Sequence, residues 1–242
     1  MEKVLQKGFQ CAVVILNMNG LQNILEGEMK NLIKAVIFDL DGVIVSTDEY
    51  HYLAWKRLAD ETGLYFDREI NSDLRGVSRL ESLNIILSRQ NCHMTEVDKL
   101  ELMDKKNGYY KEYLERLSPA SITEDTANTL SHLRKRGLLL AIGSSSKNAR
   151  FILNQIGYGA FFDTVVDGND ISRSKPDPEV FQLAAKRLGI LPENCIVVED
   201  SEAGIKAAFA GGMRTAAIGY AAETGCGDWN LGKLSEFVMK VV

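Results

Sequence analysis

A chain of 242 residues that is 45% hydrophobic, 25% charged and 8% aromatic can bury one substantial core, or a core and a small second unit. Its formal net charge of −5 argues against a general nucleic-acid binder, which needs a basic surface, but allows a small anionic substrate held by a few local cations. No run is long and apolar enough to span a bilayer, so no membrane partner is expected; Cys11, Cys92, Cys195 and Cys226 form no CxxC pair or metal-ligand spacing and point to a reducing cytoplasm.

The first 29 residues hold one apolar stretch, CAVVIL, too short for a signal-peptide core and without a small-x-small cleavage site. Met29 stands where a lead-in to the first strand would begin, so the preceding 28 residues are expected to be a dispensable extension. In KAVIFDLDGVIV the apolar run Ala35–Phe38 reads as a buried strand that ends in two aspartates, one residue apart, and a glycine. Asp48 to Thr62 reads as a helix with Tyr52, Trp55, Leu58 and Ala59 on one face and Gly63 as its stop. SRLESLNIILSRQ and EVDKLELMDKKNGYYKEYLERL continue the helical pattern, so Glu49 to Leu117 is read as all helix.

From Ser118 the pattern alternates. TEDTANTLSHLRKRG is a helix and LLLAIG a strand; KNARFILNQIG is a helix and DTVVDG a strand. DPEVFQLAAKRLG is a helix with Asp177 as N-cap and Pro178 at its first position; CIVVED is a strand, SEAGIKAAFAGG a helix and TAAIGY a strand. Strands alternating with helices imply parallel pairing with right-handed crossovers. The expected plan is a doubly wound, Rossmann-like α/β core over 30–47 and 118–242, a helical cap inserted over 48–117, and the extension 1–29. The segment after Tyr220 signals only a final turn and helix.

Parallel sheets gather ligands at the carboxyl ends of their strands. Those ends present Asp39 and Asp41, then the run Ser144, Ser145, Ser146, Lys147 and Asn148, then Glu199 and Asp200, with Lys175 in a loop beside them. Acids, hydroxyls and a lysine at neighbouring strand ends suit a phosphate held beside Mg²⁺, which takes oxygen ligands. Asp39 and Asp41 are two apart, so on an extended strand they project to one side. One carboxylate could attack phosphorus and the other could move a proton. A lone DxD is more often a metal-binding or solvated loop; the lysine and acidic pair at matching strand ends favour catalysis.

The motifs FDLDGV, GSSSKN, SKPDPEVF and VVEDSEAGIKAA, in this order, resemble those of the haloacid dehalogenase-like phosphotransferase superfamily, from about Ile33 to the C-terminus. TDEYHYLAW, RGVSRLESL and SSSKN bring the chain closer to its β-phosphoglucomutase branch than to its phosphatases. The resemblance implies Asp39 as nucleophile and Asp41 as general acid and base, with Mg²⁺ held by Asp39, the Asp41 backbone carbonyl, Glu199 and Asp200. It implies Ser144 and Lys175 on the transferring phosphoryl group, and Arg79, Ser146, Lys147 and Asn148 on a second phosphate. Gly76, Val77 and Ser78 would line a cap loop against the sugar, with Lys106 nearby, His51 beside Asp41 and Thr47 orienting it.

Several of these have plainer readings. His51 alone is a surface histidine, Arg75 and Arg79 are helix-end charges, the hydroxyl run is a helix N-cap, Trp55 is cap core, and Lys105 could replace Lys106. The chain also has Ser46 where relatives commonly carry aspartate. The implied reaction is interconversion of β-D-glucose 1-phosphate and glucose 6-phosphate through β-glucose 1,6-bisphosphate, by a monomer. A sugar-phosphate phosphatase on the same scaffold and a non-catalytic sugar-phosphate sensor are the alternatives.

Overall fold

The structure, a computed structural model, describes residues 33–90 and 92–240. The expected extension over 1–29 therefore lies outside the described residues. Six strands form one parallel sheet in the order β3-β2-β1-β4-β5-β6. They are β1 (Ala35–Phe38), β2 (Leu139–Gly143), β3 (Thr164–Val166), β4 (Cys195–Glu199), β5 (Arg214–Ile218) and β6 (Trp229–Leu231). Every pair is parallel, with Phe38 beside Ile142 on one side and Val198 on the other.

The alternation along β1 divides the core. Val36 and Phe38 join the cluster that holds Leu140, Ile142, Ile196 and Val198. Ala35 and Ile37 face the opposite way, into a cluster with Val180, Phe181, Ala184, Ala207 and Ala208. These side chains are fully buried on both faces, as a sheet covered by helices requires. Strand order reverses at β1, and the crevice at such a switch point is where open α/β sheets bind ligands.

Four helices follow β1 and form the cap: α1 (Asp48–Thr62), α2 (Arg68–Ser72), α3 (Arg79–Ser88) and α4 (Glu96–Leu114). Trp55, Leu58, Phe66, Ile70, Leu83 and Ile86 give them a small core of their own. Gly63 ends α1 in the left-handed conformation, φ 71°, as its position in the sequence implies. Thr95 and Asp98 form a reciprocal capping box that starts α4.

The core helices are α5 (Glu124–Lys135), α6 (Ala149–Gln155), α7 (Glu179–Leu188), α8 (Glu202–Ala210), α9 (Gly219–Glu223) and α10 (Ser235–Lys240). Two expectations need correcting. Helix α7 begins after Pro178, not at it; the Asp177 carboxylate still accepts the Glu179 N–H at 3.0 Å, so the cap acts one residue later than its sequence position suggests. The hydroxyl run does not cap α6, because Asn148 occupies that position. Short α2 and edge strand β6 carry too few residues to show a period.

Candidate active site

The strand ends meet at a cavity of about 460 Å³ between the sheet and the cap helices. Asp39 follows Phe38 directly, its backbone N–H tied to the Val198 carbonyl at 2.9 Å, so the sheet itself fixes where the carboxylate starts. Lys175 hydrogen-bonds Asp39 and reaches Glu199 Oε2 at 2.8 Å, all three being buried. Glu199 also accepts the Ser201 hydroxyl at 2.8 Å and the Asp200 and Ser201 backbone N–H groups at 3.1 and 3.0 Å. Glycine is needed at position 42: φ is +85°, and a Cβ would collide with the Asp200 carboxylate.

Electrostatics follow from this packing. Burial works against the charge on Lys175, but Asp39 and Glu199 together outweigh it and raise its pKa above the ordinary lysine value. Asp39 does not fall as a simple ion-pair partner would. Burial pushes it up to about 8 against the pull of Lys175, with the charges of Glu199 and Asp41 adding to the rise. Asp200 is also raised, by burial and then by the Glu199 charge. Burial lifts Asp41 to about 6, opposed by the hydrogen bond that the Thr47 hydroxyl donates to it.

Three carboxylates, Asp39, Glu199 and Asp200, each offer an oxygen within 4.8 Å of the others. One lysine against three acids, Asp39 and Glu199 buried and Asp200 partly so, leaves negative charge uncompensated, which is the donor chemistry a divalent cation fits. The Asp41 side chain is outside this group, engaged by Thr47.

The second strand end supplies hydroxyls. Ser144 is buried, with its N–H on the Val166 carbonyl at 3.0 Å and its Oγ accepting the Ser146 N–H at 3.1 Å. Ser146 Oγ in turn accepts the Asn148 N–H at 3.2 Å. The buried Ser145 Oγ has no partner.

The cap side carries cations with few acids. Lys106 is 1% exposed, and its Nζ lies 2.9 Å from His51 Nδ1 and 4.5 Å from the centre of the Tyr110 ring. Burial pulls Lys106 well below the ordinary lysine value, with the Arg79 charge pushing the same way and Asp41 opposing. His51 is held well below 6.5 by burial, then by Lys106 and Arg79, so its ring is neutral near pH 7. Arg79 is lowered chiefly by burial. Ser78 caps α3, accepting the Glu81 N–H at 3.2 Å, which fixes the loop Gly76–Val77–Ser78 at the cavity wall.

Of the residues singled out from the sequence, Asp39, Asp41, His51, Gly76, Val77, Ser78, Arg79, Lys106, Ser144, Ser146, Lys147, Asn148, Lys175 and Asp200 all line the one cavity. Thr47 and Glu199 stand behind it, bonded to Asp41 and Lys175. Position 106, not 105, faces inward: Lys105 pairs with Glu61 at 2.7 Å on the surface. Trp55 is both cap core and cavity wall. Arg75 lines the cavity too but is bound to Asp48, Nη2 to Oδ2 3.1 Å.

Sequence reasoning missed Tyr110 and Asn107. Tyr110 is buried and lines the cavity. Asn107 Oδ1 accepts both Arg79 Nη2, at 2.7 Å, and Asn148 Nδ2, at 2.9 Å. The usable signal was helical spacing: Met103, Lys106, Asn107 and Tyr110 fall at i, i+3, i+4 and i+7 on one face of α4.

Among the described residues no helix is long and apolar enough to cross a membrane. Compared with known proteins, residues 33–212 match the family described as haloacid dehalogenase-like hydrolase. Beta-phosphoglucomutase of Bacillus subtilis is 40% identical over 188 residues, 77% of this chain and 83% of that protein. Fructose-1-phosphate phosphatase of Escherichia coli is 30% identical over 179 residues, 74% of this chain and 92% of that protein. The crystal structure of beta-phosphoglucomutase from Clostridium difficile superposes with a TM-score of 0.81 at 33% identity, covering 86% of this chain and 96% of that one.

Proposed function

The chain belongs to the haloacid dehalogenase-like hydrolase family, and on that premise we propose that it interconverts β-D-glucose 1-phosphate and D-glucose 6-phosphate through β-glucose 1,6-bisphosphate. The observation that carries this reading is the lining of one cavity, which brings the core group Asp39, Asp41, Ser144 and Lys175 together with a second polar group, Arg79, Ser146, Lys147 and Asn148. In this reading the first group takes the transferring phosphate and the second the other phosphate.

An Asp39 carboxylate oxygen attacks the 1-phosphorus of β-glucose 1,6-bisphosphate and the bond from that phosphorus to the sugar oxygen breaks, leaving an aspartyl-phosphate and glucose 6-phosphate. Asp41, raised towards 6 by burial, gives its proton to the leaving sugar oxygen. The 6-hydroxyl of an incoming β-glucose 1-phosphate then loses its proton to Asp41 and attacks the phosphorus of the aspartyl-phosphate. Asp39 departs as carboxylate, and the bisphosphate is regenerated. Lys175 and Ser144 hold the transferring oxygens throughout. Asp39, the Asp41 carbonyl, Glu199 and Asp200 are the groups that would hold Mg²⁺, which when bound supplies positive charge to the phosphoryl oxygens.

Water competes with the sugar for the aspartyl-phosphate. Trp55, Leu74, Val77 and Met103 form an apolar wall, and the grip on the second phosphate lets remote binding energy favour a closed, dry site. His51, neutral and bonded to Lys106, stands on the cap side of the sugar. The reading takes the enzyme as a monomer in the cytoplasm, where the free cysteines Cys92, Cys195 and Cys226 would stay reduced.

Similarity to the Escherichia coli phosphatase favours a second reading, release of phosphate from a sugar phosphate. One assay separates the two: β-glucose 1-phosphate, Mg²⁺ and a trace of bisphosphate are supplied, and glucose 6-phosphate and free phosphate are followed together. Predominant glucose 6-phosphate is expected; predominant free phosphate would select the phosphatase. Asp39→Asn should bring either activity to background with the fold intact.

A further inference from the structure

Asn107 sits at a junction that neither its neighbours in sequence nor the reaction assigns. A single atom, its Oδ1, accepts the guanidinium of Arg79 from the cap at 2.7 Å and the amide of Asn148 from the core at 2.9 Å. Both donors line the cavity. The bond between Asn107 and Asn148 thus ties cap helix α4 to the core at the cavity. The approach is close elsewhere too: a Cβ at Gly76 in the cap loop would collide with the Ser201 side chain of the core.

We propose that Asn107 is a positioning residue whose amide oxygen holds the place of a phosphate oxygen, keeping the Arg79 and Asn148 donors converged and the cap closed until an anion takes them over. This rests on the reading that Arg79 and Asn148 bind a substrate phosphate.

The chemistry suits the exchange. Arg79 and Asn148 offer N–H donors from two sides and need an acceptor when partly or fully buried. A neutral amide oxygen meets that need weakly, whereas bonds to a dianionic phosphate are charge-assisted and about twice as strong. Asn107 thus fixes the donors without outbidding the substrate. A carboxylate in its place would satisfy the same donors but with charge, and would become a rival to the substrate.

The test compares wild type with Asn107→Asp and Asn107→Ala, reading KM and kcat from total consumption of β-glucose 1-phosphate, and the melting temperature without substrate. Asn107→Asp should raise KM about tenfold or more, change kcat little, and leave the melting temperature equal or higher, because both bonds persist with added charge. Asn107→Ala should lower the melting temperature slightly and leave KM within about threefold of wild type.

A purely structural acceptor would not move stability and affinity in opposite directions. An unchanged KM in Asn107→Asp, or a fall in its melting temperature, overturns the proposal. So does Asn107→Ala with a KM as high as that of Asn107→Asp, since Asn107 would then be gripping substrate itself. Consumption is read whichever product forms, so a wild type that releases only free phosphate removes the isomerase reading and leaves this comparison standing.

Discussion

Core and cap each bury a lysine against the same cavity, and treat it in opposite ways. Lys175 lies between Asp39 and Glu199, so its charge is balanced before any ligand arrives. Lys106 has a neutral histidine at 2.9 Å and aromatic faces from Trp55 and Tyr110, with no carboxylate in contact. Its environment lowers its pKa, while that of Lys175 is raised. The core lysine is matched by protein carboxylates, with acid left over for a divalent cation; the cap lysine has no carboxylate in contact among the described residues, so in the proposed reaction an anionic substrate would be its first counter-ion.

The sharpest break of this contrast is to replace each lysine by methionine, which keeps most of the volume and removes the charge. Lys175→Met leaves Asp39 and Glu199 buried without their cation, a change that costs about 3–5 kcal/mol of stability and abolishes turnover. Lys106→Met removes a buried amine that has no carboxylate in contact among the described residues, so equilibrium unfolding at pH 7 should find the variant as stable as wild type or more so, while turnover falls about 10²-fold. The sign can be checked with pH. The folded value of Lys106 lies below the unfolded 10.5, so its penalty is fully present below the lowered value and fades as pH rises towards 10.5. Any stability gain in Lys106→Met should shrink over that rise; a growing gain would reverse the assignment.

Surface charge extends the comparison at lower energy. At the core rim Asp170 accepts from Arg187 at 2.8 Å, Arg150 at 3.3 Å and the Asp167 N–H at 3.0 Å. The Arg187 hydrogen bond is the largest cause of its fall from 3.8 to about 2, outweighing burial. A depressed carboxyl contributes stability above its unfolded value that is lost as pH falls through its folded one. Asp170→Asn should therefore cost about 1 kcal/mol at pH 7, discounted for solvent screening, with the difference closing between pH 3.8 and about 2. On the cap, Asp60 pairs with Lys56 one turn away on the surface, and Asp60→Asn should cost less than about 0.5 kcal/mol. Equal losses in urea titrations of the two variants would erase the distinction.

The core half was readable from the sequence because its chemistry is local. Each strand is a short apolar run, and the polar residues that follow it must emerge at the same sheet edge, so Asp39, Ser144 and Glu199 could be grouped before their contacts were known. Cap residues offered less. Their placement depends on how four helices pack, and an asparagine or tyrosine in a helix interior carries no local mark of its direction. Lys105 and Lys106 are neighbours, yet one is exposed beside Glu61 and the other buried beside His51; only the packing of α4 on α1 separates them. The Asn107 junction joins residues 28 and 41 positions away, which no window of sequence reveals.

The smallest expected effect tests the seam between the two halves. Ser46 precedes Thr47, the residue that orients Asp41, and is exposed in the link from core to cap. A carboxylate at position 46 would lie just before the N-terminus of α1, where the helix dipole favours negative charge. It would also stand near Asp48 and Glu49, which repel it, so the two contributions oppose each other. Exposed substitutions of this kind stay within about 0.5 kcal/mol, and a tenfold rate change needs about 1.4 kcal/mol. Ser46→Asp should thus alter kcat by less than about threefold and leave the melting temperature nearly unchanged. A loss approaching that of Asp41→Ala in the same assay would mean that position 46 acts on Asp41, the carboxylate proposed to move the proton, and that the link belongs to the core site.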